Sequence, residues 1–533
     1  MLKWSKLLSA ERLGGKIVID SYTEKRYPRS DFEKDYRRIM ECASFRRLQD
    51  KTQVFPLDQS DFVRTRLTHS YETSVLAKTL GAMLLTVIGR KREEGIRKKK
   101  GNCQLDEQDI AAIEHIPDIL TCAGLLHDIG NPPFGHFGEE VIKKWFTCHL
   151  KDFFIVPGGL DTGKGPQMEE SLEVLLDGPL KMDLTHFDGN AQALRVLTKL
   201  HFQDSDYGLN LTSAVLNTLV KYPSASSEVK KKGDTGYSLF TKKMGYTEAD
   251  RAAYERITAF TGAKNCRHPL AFALEAADDT AYKTADIEDG FKKGLFSLDE
   301  FLNFVESRIS EYQQKYPDNK TISYVEELFN KLDAFRLYAL GNPHQKGIPD
   351  FDLYAVQNWI PYAQEWLLYC AAYGFERHYD EIMAGDYAQD LFYDTNHGIS
   401  VQIIDDIMGE FIYPNRGIVK LELAADTILS NLLEKFTTAV LYHDGKFRSE
   451  RYVEIQAYQK LYDLISENYR EAYRLALSQY PASGLSERHI PEDFYDLYLR
   501  LLLVTDYISG MTDSYAKSLY QELNGIYGLS GIY

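Results

Sequence analysis

Where the apolar run Leu120 to Leu126 stops, the chain sets an imidazole and a carboxylate side by side, His127 and Asp128. Neighbouring helical residues point about 100° apart, so both side chains can reach one cation against the helix flank without bending the backbone. Two ligands do not complete a site. An imidazole suits transition metals and a carboxylate harder ones, so a site using both should recruit further His and Asp residues. His69, in Arg64-Thr65-Arg66-Leu67-Thr68-His69-Ser70, and Asp278, in Glu275-Ala276-Ala277-Asp278-Asp279, are the candidates, in the order His, His-Asp, Asp. The dipeptide alone fits a second reading equally well: a His on the last carbonyls of a helix and a neighbouring Asp acting as a cap.

Helices must position these groups. Leu76, Leu80, Met83 and Leu84 follow His69 at three-to-four-residue spacing, and Ile110, Ile113 and Leu120 to Leu126 precede His127, so two amphipathic helices should carry the pairs. Pro132 and Pro133 must break the helix after Asp128, leaving a tight loop. That loop delivers His136, and Glu139 opens a fresh helix with Val141, Ile142 and Trp145. A His and an acid beside a metal but outside its ligands are the types that proton transfer needs, although His136 also suits a helix start. Asp183 to Asn190 reads as a polar turn and Ala191 to Phe202 as a helix that Asn190 would cap. The Ser-, Lys- and Gly-rich stretch from Ser224 to Tyr246 reads as a mobile loop that closes over substrate. Asp278, Tyr282 and Asp286 recur every four residues and share one helix face, offering a ligand, a ring and a carboxylate in a row. Ile418 to Phe436, Tyr452 to Leu475 and Tyr495 to Tyr520 read as amphipathic helices of a C-terminal lobe.

Composition narrows the class. The chain has 533 residues, 44% hydrophobic and 26% charged, which supplies both a core and a solvated surface. The expected division is a catalytic lobe with an N-terminal extension over 1–300 and a helical lobe making substrate and subunit contacts over 301–533. Six cysteines without a C-x-x-C pair, and no secretory h-region, fit free thiols in a cytoplasmic protein. No uninterrupted apolar run approaches the roughly 20 residues of a bilayer span. A net charge of -16 argues against a surface wholly devoted to nucleic acid, but Arg90 to Lys100 carries seven basic and two acidic residues. That run reads as a solvated loop first and as a contact for phosphate-rich partners second.

The pattern His69, His127-Asp128 and Asp278 resembles the HD superfamily of metal-dependent phosphohydrolases. The blocks Phe45 to Pro56, Arg64 to Ser70, His127 to His136, Phe187 to Ala193 and Asp506 to Asp513 resemble, in order, those of the deoxyguanosinetriphosphate triphosphohydrolase family. The likeness spans essentially the whole chain and is loose from about Glu300 to Ser400. It implies an all-α fold, an HD-type helical catalytic core with a helical C-terminal lobe. It implies a divalent cation, Mn²⁺ or Mg²⁺ ahead of Co²⁺ or Fe²⁺, held by His69, His127, Asp128 and Asp278. Spacing does not decide between Asp278 and Asp279; the resemblance selects Asp278.

By the same resemblance His136 and Glu139 are catalytic, and Gln53, Val54, Arg66, Asn190, Lys221, Tyr282 and Asp286 contact substrate. Tyr282 would pack under deoxyribose and exclude a 2′-hydroxyl. Glu422 and Arg470 are candidates for the counterparts of guanine-reading residues, but the surrounding words diverge and neither is assigned. The implied activity is hydrolysis of dGTP, or also of other dNTPs, to deoxynucleoside and triphosphate. Single-stranded DNA would be an effector and a hexamer the homo-oligomer. Two further readings stand beside it: another HD-type nucleotide phosphohydrolase or phosphodiesterase, and a catalytically silent regulatory assembly that binds single-stranded DNA.

Overall fold

Helices start where the sequence supplies a cap. Ser30 with Glu33, Asp106 with Asp109 and Ser297 with Glu300 form reciprocal capping boxes, satisfying N–H groups that a first helical turn leaves without intrahelical partners. The computed structural model describes residues 1–15, 29–53, 62–98, 105–156, 169–202, 206–316, 321–341, 350–395, 398–414, 416–482 and 490–526. Among these residues the sole sheet is a two-residue antiparallel pair, Phe154–Ile155 with Glu170–Ser171. The fold is all-α, as expected.

The helices that matter for the site are α1 (Arg66–Lys98), α2 (Ile116–Leu126), α3 (Gly135–His149), α4 (Gly178–Thr185), α5 (Gly189–Lys199), α6 (Pro269–Lys292), α7 (Phe351–Arg377), α8 (Glu492–Ser509) and α9 (Asp513–Leu523). Several boundaries differ from the sequence expectation. The apolar stretch before His127 is two helices, Glu107–Ile113 and α2; Pro117 falls in the first turn of α2, where a missing N–H is tolerated. Asp183 lies inside α4 and not in a turn. The third helix of the site begins at Gly135, because Phe134 and Gly135 both take φ 62° and reverse the chain just before it. Tyr452 to Leu475 contains two helices, Ile455–Asp463 and Glu467–Ser478. Tyr495 to Tyr520 is interrupted at Gly510, after which Thr512 caps α9 through the Tyr515 N–H. The basic stretch expected as a loop is helical from Arg90 to Lys98.

The chain packs as two units, each assembled from three separated segments. The first comprises Met1–Ser9, Asp58–Leu125 and His268–Lys420; the second comprises Ala10–Leu57, Leu126–Arg267 and Leu421–Tyr533. Packing therefore does not follow a sequential division at residue 300. In the first unit α1, α6 and α7 lie against one another, burying Leu80, Leu84 and Ile88 of α1, Ala273, Ala277 and Ala281 of α6, and Ala363, Ala371 and Phe375 of α7. Among the described residues one helix, Arg66–Glu94, is long and apolar enough to cross a membrane, and 44% of its apolar 18-residue window is buried within the protein. The second unit buries Leu184, Leu197, Val215, Leu501, Val504 and Ile508.

A glycine contact sets the approach of α1 and α2. A Cβ on Gly124 would fall 2.6 Å from Ser74 Cα, and Ser74 Oγ donates to the Thr121 carbonyl at 3.0 Å. Gly124 is thus three residues before His127, and Ser74 five residues after His69. Gly124→Ala should destabilise the protein by about 1–3 kcal/mol in urea unfolding, since backbone and not a flexible side chain must give way. Gly89→Ala, on the same α1 but with open space at its Cβ, should instead stabilise by roughly 0.5–1 kcal/mol.

Candidate functional site

In the first unit α1 and α6 bring His69 and Asp278 together. His69 is buried in the first turn of α1, and its Nε2 lies 3.1 Å from Asp278 Oδ1. Tyr282 and Asp286 follow one and two turns along α6, as their spacing requires. Burial, and then the neighbouring Asp279 and Asp405, push the Tyr282 hydroxyl far above its usual range, so it stays a neutral phenol. Burial also pushes the Asp286 carboxyl well up, reinforced by Asp289 and opposed by Arg64 and Arg66. Arg66, the first residue of α1, is itself buried.

Arg64 was not anticipated. Its guanidinium reaches Glu72 at 2.8 Å, Glu288 at 2.5 Å and Asp289 at 2.5 Å. This fork joins the start of α1 to the end of α6 and so fixes the register in which His69 meets Asp278.

In the second unit His127 and Asp128 occupy the turn just after α2, with His127 Nε2 3.5 Å from Asp128 Oδ2. Asn131 Nδ2 donates to Asp128 Oδ1 at 2.6 Å and so orients that carboxylate. The buried Lys51 ammonium donates to the Asn131 carbonyl at 2.6 Å. His136 and Glu139 are three apart on α3, hence on one side of it, with Nδ1 3.4 Å from Oε2. Their exposures are opposite: the His136 side chain is 80% exposed and that of Glu139 is 3% exposed. A reactant can reach the imidazole while the carboxylate is held from behind.

What holds Glu139 is unusual for a buried acid. Its Oε1 accepts the Gly189 N–H at 2.8 Å, and Lys243 Nζ stands 3.7 Å from Oε2 and 2.7 Å from Asp188 Oδ2. A Cβ at Gly189 would lie 2.5 Å from Glu139 Oε1 and 2.2 Å from Asn131 Oδ1, so this approach requires glycine. Burial alone would raise the Glu139 pKa. The hydrogen bond with His136 and the charge of Lys243 outweigh burial and bring it down to about 2. Despite its own burial, Lys243 is pushed above the usual lysine range by Asp188 and Glu139.

The remaining expected residues are placed as follows. Asp188, not Asn190, caps α5; Asp188 Oδ1 accepts from the Asn190 N–H at 2.9 Å and from its Nδ2 at 2.7 Å. Lys221 is half-buried beside Tyr222, and Gln53 is half-buried. Val54 lies outside the described residues. Arg470 is engaged by Asp463 at 3.1 Å and Glu467 at 2.5 Å. The Ser224–Tyr246 segment is a loop with short helical turns at Ser226–Glu228 and Leu239–Thr241, anchored by Ser226 to Asp183 at 2.5 Å and by Lys243 to Asp188. Sequence reading passed over Lys243 because nothing local distinguishes it from Lys242.

The HD domain family model matches residues 66–156, a span holding His69, His127, Asp128, His136 and Glu139 but not Asp278. Over 528 residues the chain is 41% identical to a deoxyguanosinetriphosphate triphosphohydrolase-like protein of Listeria monocytogenes, covering 98% of this chain and 100% of the relative. A Synechocystis protein of the same description is 30% identical over 540 residues, covering 98% and 100%. The deoxyguanosinetriphosphate triphosphohydrolase of Yersinia enterocolitica is 31% identical over 513 residues, covering 92% and 93%.

The Glu139 geometry has a thermodynamic signature. Its folded pKa of about 2 lies below the ordinary 4.5, so its ionised form stabilises the fold above about pH 4.5, and that contribution is lost as pH falls through about 2. Urea unfolding of the wild type and of Glu139→Gln should show a stability difference in favour of the wild type that shrinks with acidification across this window. A difference independent of pH would mean that the carboxylate is not held by positive partners.

Proposed function

We propose, on the premise that this chain belongs to the deoxyguanosinetriphosphate triphosphohydrolase family of HD-domain phosphohydrolases and is a metal-dependent hydrolase, that it hydrolyses dGTP, or other dNTPs as well, to deoxynucleoside and inorganic triphosphate. The observation that carries this reading is the pairing on α3 of an exposed imidazole with a buried carboxylate held near pKa 2, His136 over Glu139.

The donors fit a divalent cation. Two imidazoles and two carboxylates, His69, His127, Asp128 and Asp278, suit Mn²⁺ or Mg²⁺, and also Co²⁺ or Fe²⁺. His69 and Asp278 meet within the first unit, and Asn131 orients Asp128 within the second. The contact of Asp278 with His69 supports it over Asp279 as the fourth ligand. When bound, such an ion supplies charge that offsets the phosphoryl transition state and activates water for attack on the α-phosphorus.

The protein's own groups do the rest. The deoxyribose 5′-oxygen leaves poorly unless protonated, and His136 donates that proton, with Glu139 at Nδ1 fixing the tautomer that presents Nε2 to the leaving group. Arg66 and Lys221 bind phosphate, the former through its planar fork. Gln53 and Val54 frame the sugar, Asn190 contacts substrate, Tyr282 packs beneath deoxyribose, and Asp286 meets a sugar hydroxyl. The 301–533 segment contributes substrate and subunit contacts to a cytoplasmic homo-oligomer, a hexamer by resemblance. Single-stranded DNA is the proposed effector, with the basic end of α1 as a phosphate contact.

Chromatography of products from each dNTP with Mn²⁺ or Mg²⁺, with and without single-stranded DNA, tests the reaction. Intact triphosphate and deoxyguanosine from dGTP are expected; orthophosphate, pyrophosphate or no product would refute it. His136→Ala should lower kcat on the order of 10²-fold or more while Mn²⁺ binding is retained; equal loss of metal would contradict its role. Tyr282→Ala should relax discrimination against GTP, and unchanged discrimination would remove it from sugar selection.

A further inference from the structure

The Asp506 to Asp513 block stands out in the sequence yet contributes nothing to the reaction just described. In the second unit it is the turn between α8 and α9, and its polar groups face two segments that the reaction does use. Asp513, a buried residue only 2% exposed, opens α9 and divides its two carboxylate oxygens between them. Oδ2 accepts the Thr52 N–H at 3.0 Å and also the Thr52 hydroxyl, immediately before Gln53. Oδ1 accepts the Phe134 N–H at 2.9 Å. Phe134 is the left-handed N-cap of α3, at φ 62° and ψ 18°, a conformation that a bulky non-glycine residue rarely holds without support. His136 is two residues further on.

Four residues before Asp513, the same turn makes a second clasp. Lys51 Nζ donates to the Ser509 carbonyl at 2.7 Å and to the Asn131 carbonyl at 2.6 Å. A third tie runs from Arg47 to the Gly510 carbonyl at 3.2 Å. Asp506, at the far end of the block, anchors it to α5 through Arg195 at 2.7 Å and Gln192 at 2.9 Å. A carboxylate buried this deeply is tolerated because fixed donors surround it. Here those donors belong to the backbone on either side of Gln53 and ahead of His136.

We infer that Asp513 is a positioning residue, the centre of a clamp on the Ser509–Asp513 turn that sets His136 and Gln53 in register with each other. The inference rests on the roles proposed above for those two residues. Asp513→Asn keeps the shape and can still accept from Phe134, but it turns an amide N–H₂ toward the Thr52 N–H. Thr52→Val removes one donor and leaves the Phe134 contact. Asp496→Asn is the comparator, a buried carboxylate of the same unit that meets Tyr473, Lys446 and Arg500 and neither of the two segments.

The test combines hydrogen–deuterium exchange with dGTP turnover on the full-length, Mn²⁺-supplied protein. In Asp513→Asn, amide exchange at Thr52 and Phe134 should quicken by about tenfold or more, and kcat should fall on the order of tenfold or more, as expected when a reacting group is displaced by a fraction of an ångström. Thr52→Val should raise KM more than it lowers kcat. Asp496→Asn should lower the melting temperature with kcat within about twofold of the wild type. Faster exchange in Asp513→Asn with wild-type kcat and KM, or unchanged exchange, overturns the proposal. If Asp513→Asn does not fold, Thr52→Val decides by its KM-against-kcat split. A wild type that hydrolyses no deoxynucleotide overturns the functional reading and the catalytic consequence with it, while exchange still reports whether Asp513 holds the two segments, so the two failures are distinguishable.

Discussion

A carboxylate removed from water costs several kcal/mol unless donors surround it, and the second unit is organised around meeting that demand. Glu139 takes the Gly189 N–H and the charge of Lys243; Asp188 takes Lys243 and the start of α5; Asp506 takes Arg195 and Gln192; Asp513 takes Thr52 and Phe134. Each of these acids is almost fully buried, and most draw their donors from chain segments far apart in sequence. Satisfying them therefore determines where α3, α5, the Thr52 segment and the Lys243 loop must lie. Glu139 is thereby held with its pKa brought down to about 2, and the exposed His136 imidazole in front of it lies within 3.4 Å of its carboxylate.

The first unit meets a similar demand with arginine. Arg64 serves Glu72, Glu288 and Asp289 at once, which ties two helices whose facing residues are His69 and Asp278. Close to this fork, Asp286 is left with a raised pKa because burial and Asp289 outweigh the two arginines.

Local features were legible in the sequence. An adjacent His and Asp at a helix end, a four-residue repeat of Asp278, Tyr282 and Asp286 along one helix, and a double proline ahead of His136 are patterns visible within a few residues, and periodicity located most of the helices although several boundaries differ. Misreadings arose where meaning depends on partners distant in the chain. Lys243 sits in a Ser-, Lys- and Gly-rich stretch that reads as a mobile loop, and only its contacts with Asp188 and Glu139 mark it out. Asn190 has the right chemistry for a cap, but Asp188 two residues earlier already fills that position. Helix breaks at Glu114 and Gly510 escape a hydrophobic pattern that continues through them. Interleaved packing units cannot be read from composition either, since each draws on the N-terminal, middle and C-terminal parts of the chain. Arg64 and Asp513 were within the noted blocks, but their roles exist only through side chains and amides tens to hundreds of residues away.

The proposed ligand set, His69, His127, Asp128 and Asp278, stands or falls on whether these residues take up a single divalent cation. Anomalous diffraction from a Mn²⁺-soaked crystal addresses it without relying on turnover. A single strong peak within coordination distance of donors from all of these residues, lost in Asp128→Ala, is the result expected. A peak elsewhere, or none at these residues under saturating Mn²⁺, would contradict the account.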